Sequence, residues 1–125
     1  MDSIGRKRWV IAEGYIPDGS MAGADETLIS HEAACILNTG DEDAEVEITI
    51  FFTDREPAGP YRLSVEARRT RHLRFNDLDH PERVPRGTSY ASVIESDRPI
   101  VVQHTRLDSR AAEISLMTTM AFAAD

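Results

Sequence analysis

Between Glu45 and Thr53 the chain alternates with a period of two. Val46, Ile48, Ile50 and Phe52 occupy one set of positions, and Glu45, Glu47, Thr49 and Phe51 the other. Successive strand side chains point to opposite faces, so this pattern specifies a half-buried antiparallel strand. The stretch from Asp54 to Pro60, with Pro57, Gly59 and Pro60, reverses the chain. Tyr61, Leu63 and Val65 then alternate on the way back. A register setting Ile50 against Val65 and Phe52 against Leu63 keeps the apolar faces together and puts Glu47 opposite Arg68.

The same pattern recurs along the chain. Lys7 to Glu13 reads as a first strand, with Trp9, Ile11 and Glu13 on one face. Thr27 to Asn38 reads as a second, with His31, Ala33, Cys35 and Leu37 sharing a face. Arg69 to Phe75 and Ser89 to Glu95 follow. Gly14 to Asp25 and the segment from Asp77 to Thr88 combine Gly or Pro with charge and lack alternation, so they read as mobile, partner-facing loops. Ser96 to Pro99 reads as a tight turn into a strand that opens on Ile100-Val101-Val102. Ala111, Ala112 and Glu113 favour one helical turn, and Ser115 to Phe122 a last strand. About eight short strands with turns between them predict an all-β fold, an antiparallel β-sandwich, as a single domain over residues 1–125.

The net charge of −8 opposes a general nucleic-acid binder, which needs a dominant positive field. Cys35 is the only cysteine, so no internal disulfide can form; within Ala33-Ala-Cys-Ile-Leu37 it reads as a buried, inert thiol in a reducing compartment. The apolar run after Arg6-Lys-Arg8 is only Trp9-Val-Ile-Ala12, too short for a signal peptide or a membrane span. A soluble cytoplasmic protein is expected.

The polar residues embedded in strand patterns are the candidates for function. Gln103, His104, Thr105 and Arg106 continue the apolar run Ile100–Val102. Alternation puts His104 and Arg106 on one face, and Gln103 and Thr105 on the other. Burying such groups without partners costs about 1–3 kcal/mol each. These demands predict a small-molecule pocket in which Gln103, His104 and Arg106 join Glu13, His31 and His72. Trp9 beside Glu13 would offer a stacking surface next to a carboxylate, although Trp9 also suits plain core. The competing reading is that Glu13, or an acidic residue of a neighbouring subunit, satisfies Arg106. Arg68, Arg69, Arg71, His72 and Arg74 form a basic cluster, read as pairing with Asp41, Glu42, Asp43, Glu45 and Glu47 or as an anion or sugar site. Convergence of His31, His72, His104 and Glu32 on a metal would need their strands to adjoin with matching faces, and no short ligand spacing supports it. No nucleophile, P-loop or dinucleotide motif is present. No catalytic residue, metal or cofactor is assigned.

Several segments, taken in order, resemble one family. They are Trp9-Val-Ile-Ala-Glu-Gly-Tyr-Ile-Pro17, Ile29-Ser-His-Glu32, Gly59-Pro-Tyr-Arg-Leu63, Arg74-Phe-Asn-Asp-Leu78 and Val101-Val-Gln-His-Thr-Arg-Leu-Asp-Ser-Arg110. From about Gly5 to Phe122 the chain is similar to the sensory rhodopsin transducers. That resemblance implies a β-sandwich assembled as a planar homotetramer, with a C-terminus that can form a flexible helix. It also implies a cytoplasmic partner of a membrane-bound retinal photoreceptor, and a binder of small molecules such as sugars or sugar acids. The combined reading is a non-enzymatic signalling and ligand-binding module. The alternatives are a small hydrolase or isomerase using Glu13, His31 and His104, and a purely structural tetrameric scaffold.

Overall fold

The structure is a computed structural model that describes residues 2–21 and 25–125. Eight strands are formed among these residues: β1 Arg6–Tyr15, β2 His31–Asn38, β3 Ala44–Phe52, β4 Ala58–Val65, β5 Arg69–Arg74, β6 Ser89–Asp108, β7 Ser115–Met120 and β8 Phe122–Ala123. All of the pairings are antiparallel. The all-β expectation and the C-terminal strand therefore hold. The C-terminus carries no helical turn: Asp108 accepts from the backbone N–H and guanidinium of Arg110, closing a bend where a helix would have begun.

One strand belongs to both sheets. The first part of β6 pairs with β1 and β3, in a sheet ordered β4-β3-β6-β1-β8, and its second part pairs with β2 and β7 in a sheet that continues to β5. The turn expected at Ser96–Pro99 is therefore absent, and the strand runs through it. Asp97, Arg98 and Pro99 take no ladder partner, so the missing N–H of Pro99 costs nothing where β6 passes between sheets. Trp9 secures this crossing from the core. Its indole N–H donates to the carbonyls of Arg6 and Ile100, at 3.0 and 3.1 Å. Gly5 lies against the same place at φ +119°, and a Cβ there would stand 2.0 Å from the Ile100 carbonyl oxygen.

The core lies between the inner faces. Trp9, Ile11, Val46, Ile48, Ile50, Tyr61 and Ile94 come from one sheet, and Ala34, Ile36, Leu73, Ile100 and Val102 from the other. The β3–β4 hairpin forms with a tighter register than expected: Val46 faces Leu63, Ile48 faces Tyr61 and Ile50 faces Ala58, with an irregularity before Ile50. Glu47 thus meets Arg62, not Arg68, at 3.0 Å. The prolines misled the expectation. β4 is an edge strand, where Pro60 can sit exposed inside the strand with no partner to lose. Strand β2 begins at His31, and Glu26–Leu28 forms a 3-10 turn capped by Asp25. A second 3-10 turn spans Phe75–Asp77. Of the loop expected at Gly14–Asp25, residues 22–24 lie outside the described residues, while Ile16 and Pro17 are buried.

Candidate functional site

Glu32 is fully buried between the sheets. It lies on β2 directly opposite Arg106, with Ala34 opposite His104 two residues on, so the ladder brings both side chains to its carboxylate. Oε2 accepts from Arg106 Nε at 2.7 Å and from His104 Nε2 at 3.0 Å. Oε1 accepts from the Tyr90 hydroxyl at 2.5 Å and from the Tyr15 backbone N–H at 2.8 Å. Tyr15 and Tyr90 belong to the other sheet, so this carboxylate ties the layers together. Gly14 makes the reach of Tyr90 possible, because a Cβ there would meet the Tyr90 ring at 2.5 Å. A carboxylate has about four lone-pair sites, and all are filled here.

Such saturation is what a buried charge requires. Burial by itself would raise the Glu32 carboxyl, but the hydrogen bonds from His104, Tyr90 and Arg106 prevail and hold it below its ordinary value of 4.5. The Tyr90 phenol is pushed far above its ordinary range, first by burial and then by the adjacent Glu32 charge. The Arg106 guanidinium also lies 5.9 Å from the centroid of the Tyr15 ring.

Beside this cluster is a cavity of about 390 Å³, walled by β1, β6 and the C-terminal strands. His104 and Arg106 form its polar end and Glu13 stands at its rim; Val10, Met117 and Phe122 supply apolar wall. Arg106 uses only Nε within the chain, and His104 only Nε2. His104 Nδ1 has no hydrogen-bond partner. Ser92 Oγ is the one sealed, unpartnered side-chain polar atom among the described residues, so Nδ1 is not sealed from solvent. A larger cavity of about 600 Å³ lies between the free edges of β4 and β5. Its arginines are anchored elsewhere: Arg62 to Glu47, Arg71 to the Ser64 carbonyl and Arg74 to the Glu26 carbonyl. Asp77 and Asp79 offset their charge. The smaller cavity, whose polar end is formed by two side chains each held by a single bond to Glu32, is the better candidate.

The seven residues expected in a pocket divide into three groups. His104 and Arg106 meet at Glu32, and Glu13 joins them at the cavity rim. His72 and Gln103 lie on the outer face of the second sheet, each opposite Cys35, and Gln103 donates to Thr118 at 2.7 Å. His31 shares the alternation of that outer face, with its Nδ1 2.6 Å from the Ile29 carbonyl. Trp9 belongs to the core. A bulge between Ile11 and Gly14 turns Glu13 to solvent, so Trp9 and Glu13 do not share a face as expected. Glu13, His31 and His104 do not converge, and Glu32, not Glu13, satisfies Arg106. Cys35 is half-buried on the outer face, not sealed in the core. Of the basic cluster, Arg68 reaches Asp41 at 3.1 Å, while Arg69, Arg71 and Arg74 bond to carbonyls. Among the described residues, no three of His, Cys, Asp and Glu are grouped to hold a metal, and no helix is long and apolar enough to cross a membrane.

Fold and site together define an all-β domain of two antiparallel layers joined by a shared strand and pinned by a buried carboxylate beside a small cavity. The family described as ASRT, Anabaena sensory rhodopsin transducer, matches residues 4–123. This chain belongs to that family. It is similar to the solved structure titled "Anabaena sensory rhodopsin transducer", with 61% identity over 82% of this chain and 99% of that one, at a TM-score of 0.73. It is also similar to the crystal structure of Thermotoga maritima 1070, with 36% identity over 94% of each chain and a TM-score of 0.83. None of the curated protein sequences matches it.

Proposed function

We propose that this protein is a non-enzymatic cytoplasmic relay that reads a small polar molecule in the cleft beside Glu32. One observation carries the reading: His104 and Arg106 line a cavity and each commit one nitrogen to Glu32, their other nitrogens having no partner among the described residues. Polar groups facing a cleft of that kind suit a ligand that brings its own hydrogen-bonding groups. Kinship with the transducers supports a membrane photoreceptor as the partner, and the Arg106 guanidinium beside the cavity keeps a sugar or sugar acid among the candidate ligands. Exposed Leu37, Leu116, Met120 and Phe51 support assembly into a homotetramer.

The test is a heteronuclear NMR screen with sugars, sugar acids and other small metabolites. Shifts centred on Glu13, His104 and Arg106 are expected. Shifts centred on His72 and Gln103, or none with any compound, would remove the cleft as the site. Light scattering tests the assembly, and a mass near 13.9 kDa would rule out the tetramer.

A further inference from the structure

The chemistry lining the cleft is segregated. Arg106 offers guanidinium N–H groups at the polar end, where no acceptor among the described residues takes them. His104 is held through Nε2 by Glu32 and lines the same end of the cavity. Glu13 offers an acceptor at the rim. It is exposed and has no ion-pair or hydrogen-bond partner among the described residues. Between these ends the wall is mainly apolar, with Val10 from β1, Met117 from the strand facing Arg106 and Phe122 from the strand facing β1; Thr119 adds one hydroxyl. A sugar presents hydroxyls on every side and would find few partners along that wall.

We propose that the cleft binds an apolar α-amino acid. The ligand carboxylate meets Arg106, a planar fork suited to a planar oxyanion. Its ammonium pairs with the Glu13 carboxylate at the rim. Its side chain lies along Met117, Phe122 and Val10. A zwitterion also suits the local charge, because Glu32 already balances one cation and Glu13 adds an anion that a simple carboxylic acid would have to approach. A cavity of about 390 Å³ suits a single small molecule. This inference rests on the cleft being a ligand site and narrows what that ligand is.

Calorimetric titration with L-leucine tests it, alongside 4-methylvalerate, which lacks the amine, isoamylamine, which lacks the carboxylate, and glucose and gluconate. L-leucine should bind most tightly, with the loss of either charged end weakening binding roughly tenfold or more, the scale of one charge-assisted hydrogen bond. Glu13→Gln removes an exposed charge and should leave the fold intact. It should weaken L-leucine about tenfold and leave 4-methylvalerate unchanged. Equal L-leucine binding by wild type and Glu13→Gln would overturn the proposal. Glucose or gluconate binding more tightly than L-leucine would overturn the ligand class while leaving the cleft reading in place. No heat with any of the five compounds, together with no NMR shift at His104 or Arg106, would overturn both.

Discussion

The two faces of β6 between Ile100 and Leu107 carry similar chemistry and meet different fates. On the inner face, His104 and Arg106 follow Ile100 and Val102 into the interior and are bound by Glu32. On the outer face, Gln103 and Thr105 follow Val101 and share the Thr118 hydroxyl, at 2.7 and 3.2 Å, in view of solvent. Inside, Glu32 is fully buried, so a bond lost at its carboxylate is poorly replaced by water. Outside, water takes over at little cost. Side-chain type therefore predicts less than which face a one-residue alternation selects.

Glu32→Ala tests that contrast most severely. It strips acceptors from Arg106, His104, Tyr90 and the Tyr15 backbone at once, and should lower stability by about 3–5 kcal/mol, read by urea denaturation. A loss below about 1 kcal/mol would mean that water reaches the inner face as it reaches the outer one. The same carboxylate sets a pH dependence. Its folded pKa lies below the ordinary 4.5, so its contribution is complete above that value and disappears as pH falls through the lower, folded one. The stability gap between wild type and Glu32→Gln should accordingly shrink as the pH falls below 4.5; a gap independent of pH would show that Glu32 folds uncharged. Tyr90→Phe removes one donor to Glu32 and should cost about 1–3 kcal/mol, with the fold retained in near-ultraviolet circular dichroism. Gln103→Ala, one residue from His104, should change stability by no more than about 0.5 kcal/mol. A larger effect would erase the difference between the faces.

Alternation was enough to separate His104 and Arg106 from Gln103 and Thr105, because it depends only on strand geometry. It could not say which face would be covered. β2 shows why. Cys35 and Leu37 alternate with Ala34 and Ile36, so both faces look apolar, and only packing makes Glu32, Ala34, Ile36 and Asn38 the inner set. Glu32 could be read at most as one possible metal ligand beside His31. Its position opposite Arg106 depends on a β2–β6 pairing between residues 74 positions apart, a separation no local pattern reports. The bulge that turns Glu13 away from Trp9, and the tight hairpin around Pro60, were hidden for a related reason. The first is a local departure that periodicity averages out, and the second moves the pairing in steps that leave the alternation of β3 and β4 unchanged.

Sharing β6 between the sheets also dictates an order of events as the chain folds. Apart from the short contact with β8, β1 pairs only with β6; β2 and β3 each need it as a second neighbour, and β7 has no other. On a growing polypeptide, the β3–β4 hairpin and the β2–β5 pair are the only ladders that can close before Ser89 has emerged. β1, with its buried Trp9 and Ile11, must wait for a partner more than 80 residues downstream. Long-range closure of this kind is slow, because loop entropy is lost before the contacts that reward it have formed. Acquisition of the native state is therefore gated by synthesis of β6, and a ribosome halted before Ser89 would carry the β3–β4 and β2–β5 ladders without the strand that joins their sheets.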